Sequence, residues 1–410
     1  MKPNAEWTFM VYLAGDNNLS AAGDTDVAEM RSVGSSPDVN IVVQFDNVGN
    51  MGTKRFLVQK GGANEPGEAL GETDSGSPEV LTEFVEWTVN KYPAKRYALV
   101  LWNHGGGWEP SEMDRIARQV NARNYDPREA VQRSATPLAR AFFRPTIEKI
   151  MSLPSPGERA ICSDDGSGHS LDTIELGNVL DKLVKKLGQP LDLLGMDACL
   201  MSNLEVAYQV RPYVRYIVAS EETEPNQGWP YEQVLRHMVD HPDASTPELA
   251  AHIVEAYIKS YKDRNYAGAV TQASVNPSKV DKVAKAIDDL ADALIAGMPE
   301  AADHIWKAQR KSNHFFYKTL WDLIRFCEEL EKLTDSDRVR KASKEVRAIL
   351  QPGPDNFVTA ESDAGEGVKG CGGVSIYLLP ALDEISRYYG DLEFAKKHKW
   401  LKLLEAYHSA

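Results

Sequence analysis

Seven strand-like segments, several of them apolar on both faces, punctuate the first two thirds of this chain and leave few architectures open to it. They are WTFMVYLA (7–14), VNIVVQF (39–45), KRFLVQK (54–60), YALVLWN (97–103), LDLLGMD (191–197), VRYIVAS (214–220) and AGAVTQASV (267–275). A strand without a polar face has no side to give to water, so it belongs in a sheet covered by helices above and below. Helical patterns such as SPEVLTEFVEWTVNKY and TIELGNVLDKLVKKLG lie between the strands and supply that cover. The expected class is α/β, a three-layer α/β/α sandwich. Residues 1–275 form its main domain, and residues 276–350 turn helical, with apolar residues three and four apart in VDKVAKAIDDLADALIAG and FYKTLWDLIRFCEELEKL. Residues 351–410 return a strand, GCGGVSIYLLP, expected to rejoin the main sheet, and close with a helix, FAKKHKWLKLLEAY.

In an open α/β sheet, ligands collect outside the carboxyl ends of the strands. Two strands deliver a reactive side chain there: His104 follows YALVLWN, and Cys199 follows LDLLGMD by two residues. A thiol beside an imidazole is a nucleophile beside its base. Cys199 precedes LMSNLEVAYQV, whose pattern predicts a helix beginning at or just past the cysteine, where free N–H groups favour a thiolate. The competing reading is a buried core cysteine. Gly105, Gly106 and Gly107 after His104 let the backbone approach a substrate. The backbone N–H groups of Gly105 and Cys199 are the expected oxyanion donors for acyl transfer.

Asp197, two residues before Cys199, either lines a pocket that selects a cationic side chain or caps the following helix. The loop SEETEPNQGWPY adds Glu221, Glu222 and Glu224 as further candidates for pocket charge, and the sequence does not choose among them. Asp164, Asp165 and Asp172 resemble a calcium loop only loosely, lacking the closing Glu of an EF-hand, so a polar turn before a helix is the better reading. Asp16, in a turn on the same sheet edge, is a neighbour of the crevice. The isolated cysteines Cys162, Cys199, Cys327 and Cys371 show neither disulfide nor zinc-ligand spacing. No metal or other cofactor is expected; calcium is conceivable but unsupported.

A net charge of -14 disfavours nucleic acid and suits a cationic substrate. No run approaches the roughly 18 apolar residues that span a bilayer, so no membrane is expected. The start reads as a strand rather than a signal peptide, hence a cytoplasmic expectation, or a secreted or periplasmic one if a leader has been trimmed. Residues 109–160 stand apart: eight arginines (Arg115, Arg118, Arg123, Arg128, Arg133, Arg140, Arg144 and Arg159) lie in a proline-containing insertion too long for an ordinary loop.

WTFMVYLAGDNNLS, YALVLWNHGGGW, DLLGMDACLMSNLEVAYQV and YIVASEETEPNQGWPY together resemble the clostripain family of cysteine peptidases, within the group that shares the caspase-like fold; they span residues 7–231. The resemblance implies a mostly parallel central sheet and cleavage of peptide bonds after Arg, or Lys, by a dyad of His104 and Cys199, with Asp197 near the specificity pocket. It also makes residues 109–160 a candidate self-processing loop, and peptides or proteins with basic residues the partners. Two other readings remain: a non-catalytic protein that binds basic peptides on the same fold, and a metal-dependent hydrolase using His104, Asp197 and Cys199.

Overall fold

The computed structural model describes residues 5–16, 19–48, 52–103, 105, 107–108, 171–315, 318–380, 384–386 and 388–410. The arginine-rich insertion, Cys162, Asp164, Asp165 and His104 itself lie outside them. The chain runs β1 (Ala5–Gly15), α1 (Ser20–Val33), β2 (Val39–Asn47), β3 (Thr53–Leu57), β4 (Gly67–Gly71), α2 (Pro78–Lys91) and β5 (Ala94–Trp102). It resumes with α3 (Thr173–Leu187), β6 (Leu191–Asp197), α4 (Leu204–Val210), β7 (Val214–Ala219), α5 (Tyr231–Asp240), α6 (Thr246–Asp263) and β8 (Val270–Val275). Then come α7 (Val280–Ala296), α8 (Glu300–Lys311), β9 (His314–Phe315), β10 (Leu320–Asp322), α9 (Leu323–Leu333), α10 (Asp337–Leu350), β11 (Val358–Ala364), β12 (Ser375–Tyr377), α11 (Glu393–Lys397) and α12 (Trp400–His408).

Nine strands form one sheet in the order β11-β8-β7-β6-β5-β1-β2-β3-β4. The central five, β7 to β2, are mutually parallel, and the strands outside them are antiparallel. β1 shows why both faces are covered. Met10, Tyr12 and Ala14 enter one core with residues of α2, α3, α4 and α7, whereas Phe9, Val11 and Leu13 enter another with residues of α1, α5 and α6. The three-layer α/β/α sandwich is therefore the observed architecture.

Three details differ from the sequence reading. The apolar run at 374–379 does not rejoin the main sheet: β12 pairs with β10, and β10 with β9, in a separate three-stranded sheet. The strand that does rejoin is β11, antiparallel to β8, which has one buried residue and so little apolar signal. The closing helix is broken in two at His398, whose ring lies between Asp288 at 2.9 Å and the Tyr208 hydroxyl at 3.0 Å, while the next N–H donates to Asp288. Asp172 is the N-cap of α3, forming a reciprocal capping box with Glu175, which matches the polar turn before a helix. No helix among the described residues is long and apolar enough to cross a membrane.

Candidate active site

Parallel pairing sets the geometry. Trp102 at the end of β5 is in register with Asp197 at the end of β6, and the Asn103 N–H donates to the Asp197 carbonyl at 3.3 Å. His104 and Cys199 are each two residues beyond that registered pair, so the two strands bring their chains to the same place. The loops then touch. A Cβ on Gly105 would stand 2.4 Å from the Cys199 carbonyl oxygen and 3.1 Å from its nitrogen, so only glycine allows the turn at Gly105 to lie against the cysteine. Asn103 ties that turn back to β1 through the Ala14 carbonyl at 2.7 Å, and Trp108 anchors its far end edge-on against Tyr377 and Tyr389.

The helix after the cysteine starts later than expected. Cys199 lies in a turn that includes Leu200 at φ 66°, and α4 begins at Leu204 with Asn203 as its N-cap, its side chain accepting the Val206 N–H at 2.9 Å. Neither the helix dipole nor Asp197 as a cap serves the thiol. Cys199 is 6% exposed, and its Sγ accepts the Glu224 N–H at 3.3 Å. Burial pushes the thiol up to about 12; the N–H of Glu224 opposes this, the Glu222 carboxylate adds to it, and the N–H groups of Gly105 and Cys199 oppose it. The N–H groups of Gly105 and Cys199 are thus near enough to act on the sulfur, and its burial favours the neutral thiol.

Beside it is a small cleft of about 20 Å³ lined by Leu19, Trp102, Asn103, Asp197, Cys199 and Glu224, with Gly228 on its wall. Asp197 Oδ2 accepts the Tyr231 hydroxyl at 2.9 Å and the Trp229 N–H at 3.2 Å. Among the described residues the Glu224 carboxylate accepts from Gln272 Nε2 at 3.3 Å, and it lies within hydrogen-bonding reach of the Asp197 carboxyl. Burial, then the Asp197 charge, push Glu224 well above the carboxylate range. Asp197, which accepts from both Tyr231 and Trp229, is the partner that better holds the negative charge, and Glu224 donates the shared proton.

Of the three loop glutamates, only Glu224 lines the cleft. Glu222 lies behind the sulfur, its carbonyl accepting the Leu200 N–H, and Glu221 is fully buried against Gly373 and Asp322, away from the cleft. Asp16 does not line the cleft either; Leu19 does, from the same turn. One acid was missed from the sequence. Asp26 on α1 accepts the Trp102 indole N–H at 2.7 Å from behind the cleft wall, and burial, then Asp197, raise it to about 9, so it is a neutral acid. Its sequence context is an amphipathic helix with several acids, which carries no sign of a pocket.

Gly228 gives a direct test of the cleft. At φ 51°, a Cβ there would sit 2.9 Å from Asp197 Oδ2 and 3.1 Å from Oδ1, crowding the carboxylate on the cleft wall. Gly228→Ala is expected to lower kcat/KM for an arginyl peptide by about 10- to 100-fold, the worth of a charged hydrogen bond. It should also destabilise the fold by about 1–2 kcal/mol, because a Cβ is strained at positive φ. Steady-state hydrolysis and a melting curve check both; unchanged kinetics would mean that the substrate does not enter beside Gly228.

The comparisons with known proteins agree on one family. The family model described as the clostripain family matches residues 11–137 and 151–407. Clostripain of Hathewaya histolytica is 27% identical over 263 residues, which are 57% of this chain but 42% of that protein, so the match spans less than half of clostripain's length. A secreted C11 cysteine protease from Bacteroides thetaiotaomicron, solved with an irreversible peptide inhibitor, superposes with a TM-score of 0.67 at 20% identity, covering 97% of this chain and 100% of that one. An inactive zymogen C11 protease from Parabacteroides distasonis gives 0.65 at 19% identity, covering 97% and 99%. At those identities the two structures speak for the fold.

Proposed function

This chain belongs to the clostripain family, a family of cysteine peptidases, and we propose that it is an endopeptidase cutting peptide bonds after arginine or lysine through His104 and Cys199. The observation that carries the reading is the contact between the two strand-end loops, with Gly105 against the Cys199 backbone beside a cleft floored by Asp197. A guanidinium entering that cleft finds a carboxylate already oriented by Tyr231 and Trp229. Charge-assisted, bidentate pairing favours arginine there over any neutral side chain.

The chemistry follows from the groups present. His104 takes the Cys199 proton as the sulfur attacks the scissile carbonyl carbon, because a thiol raised by burial is a poor nucleophile without a base. The N–H groups of Gly105 and Cys199 hold the oxyanion of the tetrahedral intermediate. Collapse expels the amine, which His104 protonates, and leaves a thioester on Cys199. Water activated by the same imidazole then releases the new carboxylate and restores the thiol.

Self-processing belongs to the same reading. Eight arginines fall in residues 109–160, between the two members of the dyad. A fold relative is described as an inactive zymogen, and a thiol held protonated with 6% exposure suits an uncut, resting chain. Another is described as secreted, which supports export over a cytoplasmic location.

Fluorogenic peptides ending in Arg, Lys, Asp or Leu test the substrate class. Cleavage after Arg or Lys, with Asp and Leu peptides slower by about 100-fold or more, is expected for a buried charge pair. Equal rates would remove Asp197 from specificity. No cleavage of any peptide, before or after the 109–160 loop is cut, would instead favour a protein that binds basic peptides on this fold.

A further inference from the structure

Glu221, Asp322 and Cys371 lie far from one another in sequence, yet each brings a donor atom within 4.8 Å of the other two, and all three are buried. Glu221 follows β7, Asp322 ends β10 and caps α9, and Cys371 precedes the glycine pair that leads into β12. One oxygen of each carboxylate is fixed by a glycine N–H: Glu221 Oε2 by Gly373 at 3.0 Å, and Asp322 Oδ2 by Gly372 at 2.5 Å. Asp322 Oδ1 takes the Arg325 N–H at 2.6 Å. The remaining oxygen of Glu221, Oε1, is buried and has no donor among the described residues, on a residue that is 0% exposed.

The two carboxyl groups are within hydrogen-bonding reach of each other. Glu361, Glu222 and Asp363 add negative potential around them and the thiol, and Arg325, the guanidinium that acts on Asp322, is engaged with Glu328. Two carboxylates in contact, shielded from water, require a proton or a cation between them. A thiol completing the triad makes the set one for a metal rather than for a proton alone.

We propose that Glu221, Asp322 and Cys371 form a structural site for a thiophilic divalent cation of the zinc type, distinct from the catalytic cleft. Thiolate and carboxylate together suit zinc, with a water or a further ligand as the fourth, whereas calcium and magnesium take oxygen ligands. Binding displaces the thiol proton and any proton shared by the carboxyl groups to solvent, with no change of oxidation state. The bound ion ties three segments together behind the loop that carries Glu224, and so braces the wall of the cleft.

The test uses the full chain carrying Cys162→Ser and Cys199→Ala, which leaves Cys327 and Cys371 as its thiols. Titration with cobalt(II) should raise a thiolate-to-metal charge-transfer band that saturates at one equivalent and is abolished by stoichiometric zinc. Adding Cys371→Ser should remove the band, Cys327→Ser should leave it, and Glu221→Gln should weaken zinc binding by about tenfold or more. Where the Cys371→Ser protein does not fold, alkylation of the parent protein replaces it, with zinc expected to protect Cys371 in the peptide mass map. No band and no zinc protection would overturn the proposal and leave a carboxyl pair sharing a proton. A band that follows Cys327 would overturn it equally.

Discussion

Protein carrying Cys199→Ala is expected to fold like the wild type and to hydrolyse an arginyl peptide at least about 10⁴-fold more slowly. The size follows from covalent catalysis: without the sulfur there is no acyl-enzyme, and the remaining oxyanion donors and the pocket supply only binding and charge stabilisation. The fold should tolerate the change, because the sulfur sits in the turn before α4, where it accepts the Glu224 N–H at 3.3 Å and donates to the Glu224 carbonyl at 3.8 Å, and it neither anchors a helix nor fills the sheet. A melting temperature within roughly 4 °C of wild type is expected for the loss of about 1 kcal/mol. The same variant should remain one uncut chain by intact mass while the wild type divides within residues 109–160. Residual hydrolysis above about 1% in the purified variant would assign the nucleophile elsewhere.

The sequence made the centre of the sheet legible and its margins poorly so, for a physical reason. LDLLGMD is wholly buried and coincides with β6, and YALVLWN lies almost entirely within β5, because strands covered on both faces must be apolar throughout. β4 has four exposed residues out of five, two of them terminal glycines, and β11 is half-buried along most of its length, so neither carries a hydrophobic pattern. The run ending in YLLP has the strand character expected of it, but an apolar run does not say which sheet it joins, and β12 pairs in the smaller one rather than in the main sheet. The same limit applies to the site. His104 and Cys199 announce themselves as strand-end residues, and parallel register then brings their loops together. Glu221 and Glu224 stand three residues apart in one loop with nothing local to separate them; contacts with Asp322 on one side and Asp197 on the other decide which lines the cleft. Asp26 and the Glu221–Asp322–Cys371 cluster depend wholly on such long-range contacts, so no local motif could have found them.

Asp197→Asn should separate the two demands made on the cleft, selecting a cation and folding stably. The amide is isosteric and can still accept the Tyr231 hydroxyl and the Trp229 N–H, but it carries no charge. Loss of a buried, hydrogen-bonded charge pair costs about 2–5 kcal/mol, which is roughly 30- to 5,000-fold in kcat/KM for an arginyl peptide. A citrulline peptide, the neutral counterpart of arginine in shape, should lose far less, so the preference for arginine over citrulline should collapse. Stability should move the other way. Burial raises Asp197 in the fold, and Glu224, which hydrogen-bonds to it, is raised further by the Asp197 charge. For such groups the stabilising contribution is fully present below the unfolded pKa and is lost as the pH rises through the folded value. At pH 7 the wild type therefore bears an electrostatic cost that asparagine removes, and the variant should melt higher. Near pH 4 and below, where the unfolded carboxylates also protonate, the difference should shrink towards zero. Equal losses on arginine and citrulline peptides would show that Asp197 only shapes the cleft, and a lower melting temperature at pH 7 would show that its charge is compensated in the fold.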